Sequence, residues 1–459
     1  MRHAIIWECR FDFPRHPVST MMSFPGPVSA AMLSELANYV IATPYPFAVD
    51  LERCDGMWLV TVDGQRLFDW SGYFGSKLIG HNHPGLYEPE YVKRLVRAAN
   101  NKVANPDFLT AECLAYYRML HRVAPQIMQT DQLEVYAVNS GAEAVENMMK
   151  YLIAKFNLKK LHKGLPSGNR RFLYFDKAFH GRTVFALGVT ETIDPVATKD
   201  FHGLTMGGNI MLPFPAYNSD ASEDENRRNG DMVLHQVESA LTLMRDEIVG
   251  IIVEPIQGAG GQRVAAKEFW QELSRLAHQH DVFLAFDEVQ TGLGATGRMW
   301  AIDHFDLPYP PKAIAAGKKF GCGVVFMLEP LEDVGVLDST WGGTLADMVR
   351  VVREIEIVEQ EGLIQRAAEN GARLACGLRK VVKKYSAIAW NVRGLGLYQG
   401  FSLDTPERRS MVLKIAREEF GLLLLGAGQR SIRTRPNLSV TAEEIDRFLE
   451  MLDGVLSRV

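Results

Sequence analysis

Short apolar runs alternate with stretches of helical periodicity through the middle of the chain. LEVYAV (Leu133 to Val138), FLYF (Phe172 to Phe175), IVGIIV (Ile248 to Val253) and VFLAF (Val282 to Phe286) are apolar almost throughout. Helical stretches at Ala142 to Lys155 and Lys267 to Gln279 stand between them. Strands apolar on both faces must be covered on both faces, which predicts parallel strands sandwiched between helices. An α/β domain over residues 84–344 follows from that pattern. Ahead of it, Pro25 to Val40 reads as an amphipathic helix. Met57 to Trp70 reads as a hairpin, two β-rich runs about an Asp63-Gly64 turn. Residues 345–459 mix helices with two strand-like pieces and end on an amphipathic helix. The charged stretch Asp220 to Asp231 reads as a solvated loop.

A chain of 459 residues exceeds one ordinary hydrophobic core, so two or three domains are expected. With 47% hydrophobic and 23% charged residues the composition is that of a globular protein and excludes disorder. The formal charge of −5 is spread along the chain, with no basic stripe for nucleic acid and no acidic tail. Small molecules remain as partners. Five scattered cysteines, none spaced C-x-x-C, imply neither a disulfide framework nor a zinc cluster and fit a reducing, cytoplasmic setting. No apolar run reaches the length of a membrane span. The first twenty-odd residues lack the apolar stretch of a signal peptide. They are read as an unpacked arm, or as preceding a start at Met21 or Met22.

Ligands of open α/β sheets bind at the carboxyl ends of the strands, so those ends are where chemistry is sought. LEVYAV runs into N-S-G-A-E, where Ser140 and Glu143 have the spacing of a capping box and Gly141 opens a helix start to a phosphate. VFLAF ends in Asp287-Glu288, two acids that need a cation or donors if buried. About thirty residues on, one βαβ unit, comes A-A-G-K-K-F-G, with Lys318 and Lys319 among small residues. A lysine desolvated in that setting suits amine catalysis. FLYF is followed by A-F-H-G-R-T, where an aromatic could stack on a flat ring and Arg182 could grip a carboxylate. Near the C-terminus S-I-R-T-R-P carries two arginines at alternate positions, hence on one face of a strand. Read singly, these pieces are also a capped helix, a solvated strand end and surface cations.

Taken together and in order, S-G-A-E-A-V-E, A-F-H-G-R-T, V-E-P-I-Q-G, F-D-E-V-Q-T-G, G-K-K and S-T-W-G-G resemble class III aminotransferases of pyridoxal-phosphate (PLP) fold type I. The likeness runs from about Pro25 to the C-terminus. It is strongest to L-lysine 6-aminotransferases (STWGGTLADMVR, with GKK ahead of Cys322-Gly323-Val324) and to 4-aminobutyrate aminotransferases (FPGPVSAAML). The resemblance implies a large PLP-binding α/β domain at 84–344 with a mainly parallel sheet. A smaller α+β domain is drawn from 1–83 and 345–459. It implies a homodimer with shared active sites, and transfer of the terminal amino group of an ω-amino acid to a 2-oxo acid such as 2-oxoglutarate. Lys318 is then the Schiff-base lysine, Asp287 the partner of the pyridine nitrogen, and Gln290 a contact of the ring hydroxyl. Phe179 stacks on the ring. Ser140, Gly141 and Ala142 cradle the phosphate with Thr340 of the partner subunit. Phe74, Arg182 and Arg435 form the substrate pocket, the two arginines gripping carboxylates.

Two positions depart from the pattern. Both likenesses usually carry Glu in the third place of Q-G-E-G-G, where it masks the second arginine. Here the loop reads Gln257-Gly258-Ala259-Gly260-Gly261, an Ala also seen in amine-type ω-transaminases. Lys77 stands where a neutral side chain is expected. 4-Aminobutyrate or broader amine donors therefore stay open, as do a PLP racemase, decarboxylase or aminomutase. G-L-G-L-Y-Q-G (Gly394 to Gly400) does not fit a dinucleotide loop, because no helix follows it.

Overall fold

Why the apolar runs become strands is visible in their burial: every residue of Ile248–Val253 is buried. The computed structural model describes residues 22–166, 168–191 and 208–459. The chain begins with α1 (Pro27–Leu36), the hairpin β1 (Trp58–Val60) and β2 (Arg66–Asp69), and the single turn α2 (Gly72–Gly75). Helices α3 (Pro89–Ala99) and α4 (Ala111–Val123) lead to β3 (Glu134–Val138) and α5 (Gly141–His162). Next come β4 (Arg171–Phe175), α6 (Val184–Leu187), β5 (Ile210–Leu212), α7 (Glu223–Leu243) and β6 (Ile248–Val253). A small hairpin, β7 (Ile256–Gln257) and β8 (Arg263–Val264), precedes α8 (Lys267–Gln279), β9 (Phe283–Asp287), β10 (Ala313–Ala316) and β11 (Gly323–Met327). The remainder is α9 (Leu345–Gln360), α10 (Leu363–Lys384), β12 (Ala389–Leu395), β13 (Tyr398–Leu403) and α11 (Pro406–Phe420). Three short strands, β14 (Leu422–Leu423), β15 (Leu425–Ala427) and β16 (Ser431–Arg433), and the helix α12 (Ala442–Leu456) complete it.

Seven strands form the central sheet in the order β3-β11-β10-β9-β6-β4-β5. The pairs β10/β9, β9/β6, β6/β4 and β4/β5 are parallel, while β11 is antiparallel to both β10 and β3. Only β11 runs against the rest, so the carboxyl ends of β3, β4, β6, β9 and β10 share one edge. A second sheet, β12-β13-β16-β15, is wholly antiparallel, and a third, β1-β2-β14, pairs the N-terminal hairpin with Leu422–Leu423 near the other end of the chain. G-L-G-L-Y-Q-G is the turn and flank of the β12/β13 hairpin, which leaves no helix N-terminus for a dinucleotide.

Three sequence expectations about elements need correction. The stretch Asp220 to Asp231 is not a loop beyond its first residues. Ser222 caps α7 in a box with Glu225, and Glu223, Asp224 and Glu225 sit in its first turn, where the helix dipole favours acids. Helix α1 ends at Leu36 rather than Val40, and α5 continues to His162 rather than Lys155. The expected arm at the N-terminus lies outside the described residues. Among the described residues no helix is long and apolar enough to cross a membrane.

Candidate active site

Strand β10 ends at Ala316, and the chain turns through Gly317 and Lys318 into β11. Ala315 is paired with Asp287 in the neighbouring β9, so the lysine turn and the aspartate emerge side by side. Lys318 sits at φ +51°, left-handed backbone that a side-chain-bearing residue adopts only under constraint, a common mark of a functional site. Helix α5 starts against the same turn. A Cβ on Gly141 would meet Val289 Cγ1 at 2.6 Å, so only glycine lets these strand ends converge.

Burial lowers the Lys318 amine to about 8, helped by the charges of Lys319, Arg433 and Arg435 and opposed by Asp287. Asp287 is buried and held by two donors: His180 Nδ1 at 2.8 Å from Oδ2, and the Val289 N–H at 3.0 Å from Oδ1. Burial alone disfavours the His180 imidazolium, but the hydrogen bond and charge of Asp287, with Glu254 behind, outweigh it and raise its pKa. His180 Nε2 is buried without a hydrogen-bond partner. Glu254 accepts the Phe179 N–H at 2.9 Å, and burial pushes its carboxyl up to about 7.

These groups border a cavity of about 540 Å³. Of the residues singled out from sequence, Lys318, Asp287, Gln290 and Phe179 line it, as do Gly141, Ala142, Arg182 and Phe74. Tyr73 and Phe74 both have positive φ, so the N-terminal wall is also constrained. The guanidinium carbon of Arg182 lies 5.8 Å from the centroid of the Phe179 ring. Ser140 and Thr340 do not line the cavity. Ser140 is the exposed N-cap of α5, accepting the Glu143 N–H at 3.2 Å. The Glu143 carboxylate reaches back to the Asn139 N–H rather than to the cap itself, so the expected box closes one residue early.

The two C-terminal arginines do share a face, but only Arg433 lines the cavity. Arg435 is fully buried behind it. Its guanidinium donates to Gln290 Oε1 (2.7 Å), Gln262 Oε1 (2.6 Å) and the Thr434 carbonyl (2.7 Å), and lies 4.0 Å from the centroid of the Tyr398 ring. Arg433 donates to the Gly426 carbonyl at 3.1 Å and weakly to Gln290 Oε1 at 3.4 Å. No carboxylate hydrogen-bonds Arg433 among the described residues, and Ala259 contributes only a methyl group to the cavity. Sequence reasoning missed His180 and Glu254 as site residues. Both stand inside quoted motifs just past the ends of β4 and β6, and that position was the available signal. Lys77 is half-buried, with the charges of Glu354 and Asp69 among its neighbours.

Known proteins bear on this geometry. The family model described as Aminotransferase class-III matches residues 40–456. The chain is a class III aminotransferase. It is 32% identical over 452 residues to the L-lysine-epsilon aminotransferase of Amycolatopsis lactamdurans, covering 94% of this chain and 97% of that one. To the 4-aminobutyrate aminotransferase of Kluyveromyces lactis it is 28% identical over 470 residues, covering 97% and 98%. The solved lysine aminotransferase of M. tuberculosis matches with a TM-score of 0.88 at 30% identity, covering 94% of this chain and 99% of that one.

An aminotransferase of this class uses PLP. The residues present fit that cofactor. The glycine-floored start of α5 offers N–H groups to a phosphate. An oriented carboxylate and a buried lysine border the same cavity.

Proposed function

We propose that this aminotransferase moves the terminal amino group of an ω-amino acid, of the kind its lysine-ε-aminotransferase relatives are named for, to a dicarboxylic 2-oxo acid such as 2-oxoglutarate. The observation that carries the reading is one cavity holding a buried lysine of lowered pKa, a carboxylate, and two arginines, Arg182 from the loop after β4 and Arg433 from β16. 4-Aminobutyrate or a broader amine donor is the second reading, and of these the methyl at Ala259 favours the broader amine, since lysine-type and 4-aminobutyrate-type chains both usually carry Glu there.

Bound PLP supplies an electron sink for the pair released at the donor carbon. Asp287, fixed by His180 and the Val289 N–H, holds a proton at the pyridine nitrogen. Gly141 and Ala142, with Ser140 beside them, present the helix start to the phosphate, joined by Thr340 of the partner subunit in the proposed homodimer. Phe179 would stack on the ring, and Gln290, its oxygen fixed by Arg435, would address the ring hydroxyl. Lys318, largely uncharged above about pH 8, would take the proton from the donor carbon and return it at the cofactor's C4′. Arg182 and Arg433 grip substrate carboxylates, Arg433 taking the part first assigned to Arg435. A cytoplasmic setting and the division at residues 83 and 344 belong to the same reading; the pairing of β14 with β2 supports the latter.

A donor screen tests this. Lysine, ornithine, 4-aminobutyrate, β-alanine and simple amines are each offered with 2-oxoglutarate or pyruvate. Carboxylate-bearing ω-amines turn over with stoichiometric use of the 2-oxo acid, and Arg182→Ala loses on the order of a hundredfold in kcat/KM for them. Racemisation or loss of CO₂ without an acceptor would refute the proposal.

A further inference from the structure

A second cavity, of about 480 Å³, shares Gly428 with the substrate cavity but holds none of the residues that the proposed reaction uses. Four cationic side chains line it: Lys177 from the turn after β4, Arg263 from β8, Arg393 from β12 and Arg430 just ahead of β16. No carboxylate lines it among the described residues. The acids beside it are otherwise engaged. Asp176 pairs with Arg263 at 3.1 Å and accepts the Phe214 N–H, while Glu191 accepts the backbone N–H of Lys177 at 2.5 Å.

Arg393 is the buried member of the four, 7% exposed. It donates to the carbonyls of Gln262 (2.8 Å), Asn391 (2.6 Å) and Gly261, and to the hydroxyls of Ser402 (3.0 Å) and Ser431 (2.8 Å). Every one of these acceptors is neutral, so its charge lies buried without a counter-ion, which is costly until an opposite charge approaches. Ser402 and Ser431 are register partners across β13 and β16, and both line the cavity. A hydroxyl that accepts from a guanidinium keeps its own proton to give, and neither serine donates to the protein among the described residues. Arg393 thus orients two hydroxyls as donors.

The groups that a ligand would meet are open to it. Lys177 and Arg430 are exposed, Arg263 and Ser402 partly so. Neither Lys177 nor Arg430 makes a salt bridge among the described residues. Lys177 is held in left-handed backbone, at φ +59°, and the Gln257–Gly261 loop lies directly on its carbonyl, since a Cβ on Gly260 would collide with that oxygen.

We propose that this cavity binds the dianionic phosphate group of a small phosphorylated molecule, at a site separate from the cofactor and substrate positions. Lys177 and Arg430 grip the phosphate, Ser402 donates its hydroxyl, and Arg393 supplies positive charge from behind. With Arg263 paired to Asp176, the charges of Lys177, Arg393 and Arg430 are left to offset, which a dianion does better than a single carboxylate. Donors arriving from a turn and several strands also suit the three oxygens of a phosphate better than the two coplanar oxygens of a carboxylate. The site does not depend on the proposed reaction.

The test is calorimetric titration of the PLP-loaded enzyme with glycerol 2-phosphate, with citrate as the rival anion and glycerol as the uncharged control. The wild type binds glycerol 2-phosphate and not glycerol. Arg430→Gln and Lys177→Gln, which alter exposed side chains and leave the core untouched, each weaken binding about tenfold. Arg182→Ala removes a cation of the substrate cavity and leaves binding within about twofold. No binding by the wild type, binding unchanged in both Arg430→Gln and Lys177→Gln, or a loss in Arg182→Ala as large as theirs would overturn the site. Citrate bound as tightly, with the same dependence on Arg430, would overturn the phosphate assignment.

Discussion

Lys319 follows Lys318 in the chain but points into packed interior rather than into the cavity. Its ammonium is buried and donates to the Gln290 carbonyl (2.7 Å), Tyr398 Oη (3.0 Å) and the Gly75 carbonyl (3.3 Å), with no acid among these partners. Its charge is, after burial, the next largest influence lowering Lys318. Lys318 works uncharged, so the rate limb governed by it rises with pH through about 8; removing a neighbouring cation raises that pKa. Lys319→Met therefore moves the rising limb of the kcat–pH profile to more alkaline pH, and an unmoved limb would contradict this electrostatic role. At this scale Lys318 and Asp287 were legible because their motifs end adjacent strands. The choice between Arg433 and Arg435 was not. Strand alternation puts both on one face, and only the Tyr398 ring and the two glutamine oxygens decide which is walled off.

Helix α7 shows where the hydrophobic pattern misled at the scale of an element. Its buried stripe runs Asn226, Gly230, Val233, Val237 and Leu241, a helical spacing whose first two members are not apolar. An apolar criterion therefore sees a charged loop where a capped helix begins. Losing the cap hydroxyl leaves an N–H of the first turn unpaired, so Ser222→Ala costs about 1 kcal/mol in urea unfolding. Glu225→Gln, which keeps an acceptor but not the charge, costs less. Strand β10 escaped notice for a related reason. Ala-Ile-Ala-Ala has little β-propensity, and it is a strand because β9 and β11 flank it and all four residues are buried. The runs at Ile248–Val253 and Phe283–Asp287, long and β-branched or aromatic, announced themselves.

At the scale of the molecule, the site forms where the edge of the parallel sheet meets the C-terminal antiparallel sheet. Joining Arg433 to Gln290, or Lys319 to Gly75, requires the tertiary path itself, which no local pattern encodes. The same packing buries acids that shape stability. Glu288 accepts from the N–H groups of Ala301 (3.1 Å) and Ile302 (2.9 Å) and from the Thr291 hydroxyl, yet burial pushes it up to about 7. Between pH 4.5 and 7 it is protonated in the fold and ionised in the unfolded chain. The folded state then holds more protons, and this group's contribution to stability falls as pH rises through that window. Glu288→Gln abolishes that slope. Whatever constant cost the lost acceptor imposes, the variant gains on the order of 2–3 kcal/mol relative to the wild type between pH 4.5 and 8. Chemical denaturation at both pH values measures it, and a difference that does not change with pH would contradict the assignment.

The central claim is that the Lys318 amine carries the cofactor opposite Asp287. Borohydride reduction of the PLP-loaded enzyme, followed by proteolysis and mass spectrometry, tests it most directly. The account predicts the phosphopyridoxyl group on Lys318; finding it on Lys319, on any other lysine, or on none would contradict it.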